Sequence, residues 1–393
     1  MAGGWKCYFS LCTLLALSSY FTAAAADRLK SATFLSPNIH ITLGLVANKI
    51  FPDMEFPKGH IGIKSFHGEI VDENMNSVPL YEAYLHHWVV KKYFQRKGTT
   101  VSSANLLTTI NQDIIFPGGA EARKTATVIP DPYAIEAGNT SSIPVGFEEK
   151  WMLNVHTIDT RGAADKFGCV ECRCDVYNVT AQPGEQPLPN GYVGGLKCCP
   201  DKYRCPLRKG FQGLERKLYM RYTVKWVEWD ASVFPVRILA LDVTDVRRSS
   251  GKMAGGQTEY SISACSQRVG RRGDECIMNN RTSIVVPKGG YLVFAVGHQH
   301  VAGRGITLYG EDGRVLCVSM PIYGRGREAG NENGYVVGMR RCYPEIGAVK
   351  MMDKEAVILE SKYNNEKSHS GVMGIFYILL ADQLPNVKKE TNV

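Results

Sequence analysis

Twelve cysteines divide this chain unevenly: after Cys7 and Cys12 none occurs until Cys169, and ten then follow. Six lie close together (Cys169, Cys172, Cys174, Cys198, Cys199 and Cys205), and four come after a gap of sixty residues (Cys265, Cys276, Cys317 and Cys342). Both groups are even. In an oxidising compartment that split predicts two separately stapled halves with three and two disulfides, whose pairing the spacing leaves open. A thiolate metal site in Cys169-x-x-Cys172-x-Cys174 with Cys198-Cys199 is the alternative, and extracellular thiols more often end as disulfides.

The compartment is read from the N-terminus. Lys6 precedes an apolar stretch from Cys7 to Phe21, and Thr22-Ala23-Ala24-Ala25-Ala26 precedes the polar Asp27-Arg28. This reads as a secretory signal peptide over residues 1–26. The most apolar late run, Val372 to Leu380, is half the length of a spanning helix, so no stable membrane insertion is expected. Asn139-Thr140-Ser141, Asn178-Val179-Thr180 and Asn280-Arg281-Thr282 are glycosylation sequons. The expectation is a secreted glycoprotein of the apoplast or cell wall.

The 44% hydrophobic and 21% charged content excludes a disordered, collagenous or coiled-coil chain, and the length gives room for two cores. Basic residues exceed acidic ones by 46 − 38 = 8, spread along the chain, so no nucleic-acid partner is expected. No phosphate-binding loop, dinucleotide fingerprint, nucleophile elbow or metalloprotease helix is present. Helical periodicity is scarce. Met220, Tyr222, Val224 and Trp226 alternate with Arg221, Thr223 and Lys225, and Tyr291 to His300 and Val372 to Leu380 read as further strands. The prediction is all-β: two jelly-roll-like β-sandwich domains in tandem, residues 27–210 and 211–393, disulfide-stapled. Nothing argues for an oligomer, and a monomer is expected.

Five of nine histidines sit in apolar, strand-like runs: Tyr84-Leu85-His86-His87-Trp88-Val89-Val90, Trp151-Met152-Leu153-Asn154-Val155-His156-Thr157, and Leu292-Val293-Phe294-Ala295-Val296-Gly297-His298-Gln299-His300. A strand repeats every two residues, so His298 and His300 project from one face and can share a metal ion. His86 and His87 would point to opposite faces, so joint ligation needs a twist, a bulge or a strand end. Asn154 shares the face of His156 and can orient a ligand. Each His can also be read as a hydrogen-bonded core residue.

The order His-His, Asn-Val-His-Thr, Val-Phe-Ala-x-x-His-x-His and a late Met in an aromatic strand resembles the ascorbate-dependent copper monooxygenases, the family of peptidylglycine α-hydroxylating monooxygenase and dopamine β-monooxygenase. The whole chain, with its Leu85-His86-His87-Trp88-Val89-Val90 run, is most similar to the plant stress up-regulated nodulin-like proteins. The monooxygenase resemblance implies two coppers, one on each sandwich, across an open, solvent-filled cleft. It assigns an electron-transfer copper to His86, His87 and His156, and an oxygen-activating copper to His298, His300 and Met373, with Met351 and Met352 as runners-up. Tyr377 would line the substrate cleft.

Some positions depart from that family. Val296 stands where the peptide-amidating enzyme has a basic residue that helps hold the substrate carboxylate, Ile375 where it has an amide, Trp88 where the animal enzymes have Met, and Gly374 where they have a disulfide cysteine. The resemblance therefore implies hydroxylation of a small, apolar organic substrate with O2 and a one-electron reductant such as ascorbate, rather than of a peptide. The lost substrate-binding residues also fit a non-catalytic extracellular copper-binding or interaction protein on the same scaffold, deployed under stress or in symbiosis.

Overall fold

The computed structural model describes residues 28–100, 113–181, 187–247, 253–254, 258–265 and 276–385. The expected signal peptide lies outside them. In chain order the strands that frame the first half are β1 (Lys30–Leu35), β2 (Val46–Phe51), β3 (Ile61–Val71), β4 (Ala83–Arg96), β5 (Asp113–Gly118), β6 (Tyr133–Ala137), β7 (Phe147–Asp159) and β8 (Arg216–Glu228). One sheet runs β1-β8-β3-β6 and the other β2-β7-β4-β5. Leu218, Met220, Tyr222 and Val224 of β8 are buried in strict alternation, the pattern their sequence announced. Their face meets Phe66 of β3, whose ring lies 5.8 Å from Tyr222, 5.1 Å from Trp88 of β4 and 4.8 Å from Phe116 of β5. Those rings join the two sheets, and burial of each contributes on the order of 1.5–3 kcal/mol. Although β8 follows residue 210, it pairs with β1 on one side and β3 on the other.

The second half adds β9 (Phe234–Asp242), β10 (Ile277–Val285), β11 (Gly290–Gln299), β12 (Gly303–Tyr309), β13 (Val315–Ser319), β14 (Arg341–Cys342), β15 (Ala356–Asn364) and β16 (Gly374–Ala381). Its sheets run β9-β16-β11-β14 and β10-β15-β12-β13. A short parallel pairing, Tyr133↔Phe234 and Ala134↔Pro235, links β6 to β9, so one sheet passes through both sandwiches. Residues 292–299 of β11 are all buried, and β16 is nearly so. Burial on both faces explains why these strands read as continuous apolar runs instead of alternating ones.

Between β7 and β8 the chain makes a module with two short helices, Lys166–Val170 and Cys174–Tyr177. Its core is largely sulfur: Cys169–Cys205, Cys172–Cys199 and Cys174–Cys198 are disulfides, packed with Val46, Ile158 and Tyr177. Cys265–Cys276 and Cys317–Cys342 complete five, three in one group and two in the other. The thiolate metal site is therefore not formed. These disulfides are consistent with an extracellular protein, and no helix among the described residues is long and apolar enough to cross a membrane. Because 27 residues separate Cys172 from Cys199, replacing both by Ser is expected to cost about 3 kcal/mol. A thermal unfolding midpoint unchanged by the double substitution would contradict that.

Candidate metal centre

The three histidine-bearing segments meet where the two sandwiches touch. In the β4–β7 ladder Leu85 pairs with Thr157 and His87 with His156, so His86 is the extra residue of a β-bulge. That bulge turns both members of the adjacent pair toward His156. The ring centroids of His86 and His87 lie 4.8 and 5.1 Å from that of His156, and one ligand nitrogen from each of the three residues falls within 4.8 Å of the others. The end of β11 supplies His298 and His300, with centroids 5.2 Å apart. His86 and His300 stand edge to face at 4.9 Å. Among the described residues no open, solvent-filled cleft of the kind the monooxygenase resemblance implies separates the two sets: sheets packed against each other bring them into one contiguous cluster. His86, His156, His298 and His300 are 0–7% exposed.

Four of these imidazoles are held through one nitrogen. The Nε2 of His87 is 3.1 Å from Oδ1 of Asn154, whose amide nitrogen donates to Asn48 Oδ1 and the Lys49 carbonyl. Asn154 Oδ1 is therefore the acceptor, His87 carries its proton on Nε2, and Nδ1 remains unpaired. His298 Nδ1 lies 2.6 Å from the buried Glu121 carboxylate, which accepts its N–H and sets the direction of the ring. His300 is hydrogen-bonded to the Gly371 backbone and leaves Nε2 unpaired. His156 Nε2 is 3.8 Å from Cys199 Sγ, and its Nδ1 is unpaired. Both nitrogens of His86 are buried and without a partner. Each such atom costs about 1–3 kcal/mol unless something fills the lone pair.

Burial, and then the neighbouring imidazoles, hold His86, His156 and His300 well below the usual imidazole range. Burial lowers His87 to about 4. Neutral imidazoles with open lone pairs are the donors that copper, zinc and nickel take, so the residues present fit a transition metal.

Glu121 had no sequence signal. It sits on a one-turn 3-10 helix, Ala120–Arg123, that follows β5, and reaches His298 from 177 residues away. Gly119 admits that helix: a Cβ there would lie 2.7 Å from the His86 carbonyl oxygen and 3.1 Å from His298 Cε1.

Met373 occupies the break just before β16, 4% exposed, and its carbonyl accepts from Tyr363 Oη, which in turn accepts the His300 N–H. Met351 pairs with Gly290 at the far end of β11, roughly 26 Å of strand from His298. Met352 is 58% exposed. His298 pairs with Ile375, and Val296 with Tyr377, so Val296, Ile375 and Tyr377 share the face of His298. Tyr377 lines a void of about 20 Å³ with Trp88, Glu121 and Val296. A cleft of about 1240 Å³ lies elsewhere, between the disulfide module and the second half. Its walls include Val301, Ala302 and Ser370, chain neighbours of His300 and Met373, but none of the five histidines.

Among solved structures, the infectious bursal disease virus Gx strain aligns at 12% identity over 90% of this chain and 72% of that one, with a TM-score of 0.18. The STIV MCP aligns at 8% identity over 93% and 99%, with a TM-score of 0.28. Similarity at that level carries no argument. No curated protein matches the chain. The family model described as stress up-regulated Nod 19 matches residues 27–383.

Proposed function

The chain belongs to the stress up-regulated Nod 19 family, and from that premise we propose that its histidine cluster holds copper and that the protein is a secreted copper-dependent monooxygenase. The observation that carries this reading is the convergence of five imidazoles, four of which, His86, His87, His156 and His300, keep buried nitrogens with no partner. His86, His87 and His156 would hold one ion. His298, His300 and the Met373 thioether would hold the other. Copper, when bound, supplies the one-electron chemistry by which O2 gives one oxygen atom to a C–H bond and the other to water, the two electrons coming from a reductant such as ascorbate.

The chain's own residues set the rest. Glu121 fixes the tautomer and direction of His298, and Asn154 does the same for His87. Val296 and Ile375, each 8% exposed on the His298 face, bring no charge to hold a carboxylate, which favours an apolar substrate. Tyr377, beside Glu121 on that face, keeps its phenol protonated, because burial and then the nearby carboxylate raise its pKa. A phenol O–H there can donate toward the His298 side of the centre.

The test is oxygen uptake by the copper-loaded protein with ascorbate across a panel of small apolar compounds. Substrate-dependent uptake is expected, and Met373→Ala is expected to abolish it while leaving the disulfides and the fold intact, with an unfolding midpoint lowered by the loss of a buried side chain. Full uptake in that variant would remove Met373 from the centre. A second reading, copper binding without turnover, is favoured by the near-complete burial of the histidines and by their absence from the walls of the large cleft. It expects retained copper and no substrate-dependent uptake.

A further inference from the structure

The histidines of the cluster are not equivalent. His87, His156, His298 and His300 each have one nitrogen engaged by the protein, through Asn154, Cys199, Glu121 and the Gly371 backbone respectively. Each therefore has a single lone pair to give. His86 has neither nitrogen engaged, although the residue is 1% exposed. Its ring also has a distinct place. It lies 4.8 Å from His156 on the first-half side and 4.9 Å from His300 on the second-half side, between the two groups of ligands.

A neutral imidazole carries one N–H and one lone pair, so filling a single metal site would leave the His86 N–H buried and unpaired. That orphan would persist at a cost of about 1–3 kcal/mol. Two ions, one on each side, satisfy both nitrogens at once. The bulge that displaces His86 from regular pairing is what moves it off the ladder and into this position.

We propose that His86 is a bridging ligand: on metal binding it loses its N–H proton to solvent and, as an imidazolate, ligates one ion with His87 and His156 and a second with His298 and His300. The two sites then form one coupled dinuclear centre instead of two independent mononuclear ones. This rests on the copper reading above and goes beyond it.

The test uses the secreted full chain, stripped of metal, loaded with cupric sulfate, desalted, and analysed for copper content and for integrated low-temperature EPR spin. Two cupric ions joined by an imidazolate couple antiferromagnetically, so two coppers per chain are expected with a spin integral far below two. His300→Ala is expected to retain about one copper with close to one spin, because removal of a second-site ligand leaves the first ion uncoupled. His86→Gln is expected to restore close to one spin for each copper it retains. Circular dichroism and a disulfide count on both variants establish that they fold, and the wild-type spin deficit tests the bridge even where a variant does not. Two coppers with two full spins in the wild type would overturn the bridge while leaving copper binding intact. Retention of no copper would overturn both readings.

Discussion

The double substitution His298→Ala/His300→Ala is expected to lower copper retention from two ions per chain to about one after loading and desalting, measured by elemental analysis. The substitution removes two of the five imidazoles and leaves the buried Glu121 carboxylate with only the Gly119 N–H as partner. It should also reduce the stabilisation that copper confers. A ligand that binds only the folded chain, at a thousandfold excess over its dissociation constant, contributes about 4 kcal/mol. The wild type is therefore expected to show a clear upward shift of its unfolding midpoint on copper addition, reversed by a chelator, and the double variant a smaller one. Equal copper content in the two proteins would place the metal elsewhere and return these histidines to the core.

The second large effect concerns Glu259, where the halves meet. Its side chain is 9% exposed, Oε2 accepts from the Leu196 N–H at 2.8 Å, and Oε1 has no partner. Burial raises this carboxyl from 4.5 to about 7. A folded value above the unfolded one means that the folded state holds the proton more tightly. Its contribution is complete below about pH 4.5 and is lost as pH rises toward 7, where the folded chain must carry a buried charge. That loss is about 3 kcal/mol. Glu259→Gln keeps an acceptor for Leu196 and never ionises. It is expected to match the wild type near pH 4 and to exceed it by up to about 3 kcal/mol at pH 8. Thermal melts at the two pH values check this, and parallel curves would show that the carboxyl is solvated.

Much of this architecture was legible in the residues. The alternation at Met220, Tyr222 and Val224 identified a half-buried strand, and the even cysteine groups matched three disulfides and two. That joint ligation by His86 and His87 needs a twist, a bulge or a strand end followed from strand geometry alone, and the register breaks there as a bulge. The strand order was not legible. Nothing local in Arg216–Glu228 says that it returns to Lys30–Leu35 and Ile61–Val71, because pairing partners are chosen by long-range burial. Glu121 escaped for the same reason, since its role depends on a partner 177 residues away. The closed arrangement of the histidines escaped too: the resemblance implied solvent between the sites, and the contact of His86 with His300 depends on how two sandwiches pack.

The placement of the disulfides bears on how an ion reaches the cluster. All five bridges lie within residues 169–205, 265–276 or 317–342, and none ties the strands that carry His86 and His156 to the strand that carries His298. The seam over the histidines is closed by contacts such as Glu121 with His298, Leu80 N–H with Glu332, and Met339 N–H with Thr125, all of which break and reform without chemistry. For an ion held there as proposed, exchange would be gated: above a modest ion concentration its velocity would reach a plateau set by how often the seam opens, and it would respond to temperature and mild denaturant as local unfolding does.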